Sequence, residues 1–320
     1  SGVTADMALI ASAMRQKDFD KALQAIANLE KKQPNSPLVH NLRGQVLVAK
    51  KDSPAAKKSF EKALAEDPTY LSAVTNLVAM DLAENKIDQA RQRYETVLAK
   101  DPKNVPAMLS LAQLKARTGA SLDDVASLLK KAVAADSSNP APRFALMSLY
   151  LNAKDKDKAR ATTEEALAAS PENPEILSVA GQVYQLSGDT NQALTTYNKL
   201  TNLLPTNPQP YLRIAEMHLA AKNKQAARDI LAKGIGKQPD SLPLQRAQIM
   251  LDVSDERFSD ALTTARAIQK TQPKEAAGYV LEGDIHLTKK SWKDAATAYR
   301  AGLKAAPTTD LAGRLYVALL

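Results

Sequence analysis

Apolar residues recur along the chain three and four positions apart, in stretches of about a dozen residues that short polar segments cut off, and this spacing predicts amphipathic helices. The stretch holding Ala22, Ile26 and Leu29 is one example; Ala56, Phe60 and Ala63 repeat it, as do Ala193, Tyr197 and Leu200. The interruptions are of two kinds. Polar turns such as Lys17-Asp18, Lys51-Asp52, Gly188-Asp189 and Lys222-Asn223 separate the helices of a pair, and a proline closes each second helix because it cannot continue one.

Those prolines set a period. Pro34, Pro68, Pro102, Pro171, Pro205, Pro239, Pro273 and Pro307 lie 34 residues apart, except for a single gap of 69 between Pro102 and Pro171. Ser137 stands where the missing proline would be, so one residue is inserted, and the turn Thr118-Gly119-Ala120-Ser121 is where it is expected. Twelve positions before these landmarks stand Ala22, Ala56, Ala90, Val125, Ala159, Ala193, Ala227, Ala261 and Ala295. Eight positions before them the residues are mostly large, among them Ile26, Phe60, Tyr94, Leu129, Tyr197, Leu231 and Tyr299. A small residue lets two helices approach and the large one fills the adjacent gap, so the alanines are expected to be buried between the helices of their own units.

Composition agrees with closely packed helices: aromatic residues make up only 4% of the 320, and alanine dominates the apolar set. The chain has no cysteine, which excludes disulfides, thiolate metal sites and cysteine nucleophiles, and no apolar run approaches the roughly 20 residues that span a bilayer. The net charge of +8 raises the question of nucleic acid, but its distribution argues against it. Residues 1–160 carry 25 basic against 18 acidic side chains and residues 161–320 carry 18 against 17, with doublets such as Lys31-Lys32 and Lys130-Lys131 scattered over helix ends and faces.

Catalytic chemistry is equally thin. There are three histidines, no phosphate-cradling glycine loop and no zinc-protease motif; Gly234-Ile235-Gly236 ends a second helix, and Asp123-Asp124 and Glu164-Glu165 begin or face out of helices. These features predict a non-enzymatic chain without metal or cofactor. An enzyme's docking arm, with the catalytic domain outside residues 1–320, remains an alternative.

The 34-residue unit resembles the tetratricopeptide repeat (TPR), which carries Gly or Ala at position 8, Ala at 20, an aromatic at 24, Ala at 27 and Pro at 32. Gly44, Gly181 and Gly283 occupy position 8, and Tyr150 and Tyr184 the aromatic position 11. The resemblance implies an all-α, right-handed superhelical solenoid: a single array over residues 3–309, with units beginning at 3, 37, 71, 105, 140, 174, 208, 242 and 276. Residues 310–320, with Leu311, Leu315, Tyr316 and Leu319 at helical spacing, read as the start of a further, truncated unit. Such an open apolar end predicts a segment cut from a longer protein, with Ser1-Gly2 left over from cloning.

Within that class, Ser59 to Pro68, Asn76-Leu77, Leu98 to Pro102, Pro174 to Leu177 and Gly188-Asp189 resemble the TPR lipoproteins that accompany exosortase and PEP-CTERM surface sorting in exopolysaccharide-producing Gram-negative bacteria. This resemblance implies a scaffold in exopolysaccharide production or surface protein sorting, periplasmic or outer-membrane-associated. It also implies a lipid anchor on an N-terminal cysteine, which this sequence lacks.

In TPR arrays positions 2, 5, 6, 9, 12 and 13 of each first helix face the concave groove. Units two to six place Asn41 and Gln45, Thr75 and Asn76, Ser110 and Gln113, Ser148 and Asn152, and Ser178, Gln182 and Gln185 there. These amides and hydroxyls both donate and accept, as an extended peptide backbone or a saccharide requires. Units seven to nine turn charged, with Arg213 and Glu216, Arg246, and Asp284. A carboxylate clamp is not expected, because Asn76 alone matches its pattern. The partner read from this surface is a protein or extended peptide, with polysaccharide the runner-up because Phe144 is the chief aromatic platform. An inert polar wall is the competing reading.

One further coincidence stands out: His218, Asp252 and His286 are 34 apart, all at position 11. Asp252 is expected to be held by a neighbouring histidine or a backbone donor; a pH-sensitive joint and a metal site are the alternatives.

Overall fold

The computed structural model describes residues 2–320; Ser1 lies outside the described residues. Among these there are 19 α-helices and no strand. Paired by unit they are α1 (Val3–Arg15) and α2 (Phe19–Lys32), α3 (Pro37–Ala49) and α4 (Ser53–Glu66), α5 (Leu71–Ala83) and α6 (Ile87–Lys100), α7 (Val105–Arg117) and α8 (Leu122–Ala135), then α9 (Pro140–Asn152) and α10 (Lys156–Ala169). They continue with α11 (Pro174–Ser187) and α12 (Thr190–Leu203), α13 (Pro208–Ala220) and α14 (Lys224–Lys237), α15 (Leu242–Ser254) and α16 (Phe258–Thr271), α17 (Ala277–Thr288) and α18 (Trp292–Ala305), and last α19 (Thr309–Leu319). The chain divides into two compact units, residues 1–155 and 156–320, the division falling inside the fifth repeat.

Within each unit every helix packs on its chain neighbours, and first helices also touch the first helix of the next repeat: α3 with α5, α7 with α9, α13 with α15, α15 with α17. Local chemistry fixes the joints. Asp18, Asp52, Asp189 and Asn223 cap second helices through side-chain oxygens that accept a backbone N–H, and Asn104, Asn139, Asn173 and Asn207 cap first helices just ahead of a proline in the opening turn. Each first helix ends in one left-handed residue. It is glycine at Gly119 and Gly188, but Lys17, Lys51, Asn85, Lys154, Lys222, Glu256 and Lys290 adopt the same positive φ in the other repeats. The turn 118–121 is one residue longer than turns such as 16–18 and 50–52, and Ser121 caps the helix that follows, so the insertion sits where the spacing put it.

The core is a chain of hairpin interiors. Ala22, Ala56, Ala90, Ala193, Ala227, Ala261 and Ala295 are wholly buried and Ala159 nearly so, as the period required. The residue at position 8 of the first helix and that at position 24 of the second divide one volume between them. A Cβ on Gly44 would stand 2.4 Å from the Phe60 ring, one on Gly181 2.5 Å from Tyr197, and one on Gly283 2.1 Å from Tyr299. Where the first helix carries the bulk instead, the second gives way: Ile249 and Ala265 share a core cluster.

Candidate binding groove

In the unit formed by residues 1–155 the side chains expected in the groove are mostly accessible. Gln45, Thr75, Gln113 and Asn152 are exposed, and Asn76, Ser110 and Ser148 half-buried. Asn41 departs from the expectation: it is 4% exposed, because its Oδ1 accepts a hydrogen bond from Asn76 Nδ2 at 2.9 Å, tying α3 to α5. It is part of the inter-repeat joint, not of the open wall. Thr75 is also engaged, receiving the Tyr94 hydroxyl at 3.4 Å. Phe144 is half-buried, which reduces its use as a stacking platform.

In the unit formed by residues 156–320 the first helices border two cavities. One, of about 220 Å³, is bounded by Ser178 and Gln182 of α11, Tyr197 of α12, Asn207 and Gln209 at the start of α13, and Arg213 within it, over an apolar wall that includes Leu200 and Leu204. The other, about 400 Å³ in volume, lies between α15 and α17 and places Arg246 and Asp284 at the rim of a surface formed by Ile249, Met250 and Leu281. Gln185, Arg213, Glu216 and Arg246 are exposed. The charged residues are not all free to meet a partner: Arg213 donates to Glu216 at 3.0 Å. Asp284 accepts from the Tyr299 hydroxyl at 2.7 Å and from Arg314 at 2.6 Å, so α18 and α19 already claim it.

Three second-helix tyrosines occupy equivalent positions with different surroundings. Tyr94 bonds Thr75 and Tyr299 bonds Asp284, whereas the hydroxyl of Tyr197 is buried without a hydrogen-bond partner in the protein. Burial holds the Tyr197 phenol protonated, its pKa pushed up to about 12, and Tyr299 is raised by burial first and by the Asp284 bond second. The packing role of Tyr197 was legible in the sequence as the large side chain filling the gap beside the small Ala193. The cavity that Tyr197 borders was not, because it depends on Asn207 and Gln209 of the next repeat.

The histidine-centred expectation for Asp252 is corrected. Asp252 is 3% exposed and is held by Arg228 at 3.1 Å and Gln248 at 3.0 Å, with Arg257 at 4.0 Å. A guanidinium keeps its charge at every relevant pH and supplies several donors, so it satisfies a buried carboxylate where a neutral imidazole would offer one. Arg228 also bonds Asp255 at 2.9 Å, and Asp255 sits below the usual carboxylate range through its bonds to Lys224 first and Arg228 second. Sequence reasoning missed the parallel in the third repeat, where the fully buried Asp81 pairs with Arg93 from α6. Asp81 sits at position 11, which was the available signal. Among the described residues no group of three histidine or carboxylate side chains is placed to hold a metal ion, and no helix is long and apolar enough to cross a membrane.

Comparison with known proteins sets this architecture in context. Over 265 residues, 80% of the chain, it is 27% identical to cellulose synthase operon protein C of Xanthomonas axonopodis pv. citri (strain 306), of whose length it spans 17%. Among solved structures, the C-terminal part of a TPR repeat-containing protein from Cytophaga hutchinsonii aligns with a TM-score of 0.52 at 15% identity, over 74% of this chain and 97% of that one. A TPR protein from Parabacteroides merdae ATCC 43184 aligns at 0.46 and 17% identity, over 77% and 98%. Tetratricopeptide repeat family models match residues 7–70, 47–114, 120–183, 184–249 and 246–309, nearly the whole length over which the prolines keep their period. The chain belongs to the tetratricopeptide repeat family.

Proposed function

We propose that residues 3–309 act as one run of nine TPR units, a non-enzymatic protein-interaction scaffold serving exopolysaccharide production outside the inner membrane. The observation that carries the exopolysaccharide part is the 27% identity, across 80% of the chain, to a protein named for a cellulose synthase operon. That likeness favours the polysaccharide branch of the sequence reading over the exosortase branch, for which the PEP-CTERM resemblance is the sole support. A periplasmic or outer-membrane-associated location follows from the same reading. The groove supports a protein or extended peptide as the bound partner, since exposed Gln45 and Gln113 present donors and acceptors without charge.

In the host organism, in-frame removal of these repeats is expected to cut secreted polysaccharide severalfold while its activated sugar precursors persist. Normal secretion would overturn the assignment. Partner capture by a Gln45→Ala, Gln113→Ala double variant should weaken with the melting temperature unchanged. Asn76 is unsuited to this test because its loss would orphan the buried Asn41.

A further inference from the structure

We propose that the groove between α15 and α17 seats an extended partner peptide that is both acidic and apolar, with its apolar side chains against Met250 and its carboxylate on Arg246. The inference rests on the scaffold reading and names the partner chemistry that one part of the groove takes. Its starting point is an inequality among equivalent residues. Position 9 of the first helix is Gln45, Gln113, Ser148, Gln182, Glu216 or Asp284 in six repeats and alanine in two, but in repeat eight it is Met250. That side chain is 71% exposed, more than any other large apolar residue described except the last, Leu320. Together with the buried Ile249 and Leu281 and the half-buried Val253 it lines a cavity of about 400 Å³. An unbranched thioether adapts to varied apolar surfaces, and an exposed apolar patch with a polar rim marks an interaction site.

Charge says what accompanies the apolar group. Of the charged groove residues in repeats seven to nine, Arg213 is engaged with Glu216, and Asp284 with Tyr299 and Arg314. Arg246 alone is exposed at the cavity rim without a hydrogen bond or ion pair among the described residues, so its guanidinium fork is free for a carboxylate. It lies four residues before Met250 on one face of α15, which sets the carboxylate about 6 Å from the first apolar side chain. Alternate side chains of an extended segment share a face at nearly that spacing, so acid and apolar group stand two residues apart in the peptide. Asp284 borders the cavity from α17, which directs the anionic end of the peptide to α15. A cavity of roughly 150 Å³ holds a benzene molecule, so the larger space here admits two apolar side chains. The pattern that fits is Glu-x-Leu-x-Leu. A saccharide is less well served, because no aromatic ring lines the cavity for stacking.

The test titrates the chain, labelled at its methionine methyl groups, at low salt with the blocked pentapeptide Glu-Ser-Leu-Ser-Leu, its Gln-Ser-Leu-Ser-Leu and Glu-Ser-Ala-Ser-Ala counterparts, and glucuronate. The first peptide should shift the Met250 methyl resonance, which Met250→Gln assigns by its loss. Alanine in place of both leucines should weaken binding about tenfold, and glutamine in place of glutamate about threefold, the scale of an exposed ion pair. Arg246→Gln should bind the glutamate and glutamine peptides equally, and Met250→Gln should weaken both. Both side chains are exposed, so the melting temperatures of these variants should match that of the wild type. No shift at millimolar peptide, equal affinity for the leucine and alanine peptides, or a glutamate preference that is absent from wild type or survives Arg246→Gln would overturn the site. Tighter binding of glucuronate would overturn the peptide assignment in favour of an acidic sugar. Self-association of the chain that Met250→Gln abolishes, without peptide binding, would overturn it in favour of a second copy. Loss of secretion on removal of the repeats, with negative titrations, would remove this groove alone; normal secretion with positive titrations would remove the exopolysaccharide role and leave the groove.

Discussion

Repeats six and nine build the same joint from the same parts, a glycine on the first helix and a tyrosine on the second, and then use the tip of the tyrosine differently. In repeat nine Asp284 and Arg314 close over the Tyr299 hydroxyl, so the joint is complete within the chain. In repeat six Ser178 and Gln182 stand on the first helix instead, and neither bonds Tyr197. Repeat eight is likewise closed within the chain, with Asp252 buried and neutralised by Arg228 of the preceding repeat. The difference teaches that helix packing and ligand chemistry are separable in this fold. Packing is set at positions 8, 20 and 24, and whether a polar tip is satisfied depends on which residue the facing helix brings.

The largest expected effect comes from breaking a joint that is complete. Arg228→Ala leaves Asp252, a carboxylate 3% exposed, with Gln248 and a distant Arg257. Removing one partner of a buried pair costs about 3–5 kcal/mol, and the lower end applies here because Gln248 remains. Urea unfolding measures it; a loss below about 1 kcal/mol would mean that Asp252 is solvated and that the joint between repeats seven and eight is not closed.

Next come the shared parts. Gly181→Ala and Gly283→Ala each place a methyl group within 2.5 Å of a tyrosine ring atom, and each should cost about 1–3 kcal/mol by overpacking. Similar penalties in the two repeats would establish that the joints are mechanically alike. A tolerated Gly283→Ala beside a disruptive Gly181→Ala would break the comparison, since the closer approach is at Gly283.

The hydroxyls then separate the repeats. Tyr299→Phe removes the donor to a carboxylate that is itself partly exposed, so about 1–2 kcal/mol should be lost, less than the full worth of a buried charged bond. Equal stability of Tyr299→Phe and wild type would show that Arg314 alone satisfies Asp284.

How much of this could be read from residues alone follows from the range of the interaction involved. The prolines, the alanines and the large residues four positions after them are local and periodic, and the structure placed Ala193, Tyr197 and the insertion at 118–121 as the period required. Groove positions were legible as a list but not as an environment. Asn41 was read as open and is closed by Asn76 from the next repeat; Asp252 was assigned to a histidine or a backbone donor and is held by an arginine from the preceding one. Both errors concern side chains that meet between repeats, whose rotamers a position number does not carry. The orphaned Tyr197 belongs to the same class.

The smallest expected effect at neutral pH is that of Tyr197→Phe, and its pH dependence is the sharpest test of the contrast between repeats six and nine. Deleting a buried hydroxyl that has no partner costs nothing to replace and should leave stability within about 0.5 kcal/mol of wild type, or raise it. Alkali should then pull the two proteins apart. The Tyr197 phenol is pushed up to about 12 in the folded chain by burial, against about 10 for an unfolded tyrosine. A raised folded pKa contributes stability that is fully present below the unfolded value and is lost as pH rises through the folded one, because the unfolded chain releases the proton first. Wild type should therefore fall behind Tyr197→Phe between pH of about 10 and about 12, while the other tyrosines, common to both proteins, cancel in the difference. Parallel stability curves over that range would mean that the hydroxyl is solvated, and the contrast between a closed joint in repeat nine and an open one in repeat six would disappear.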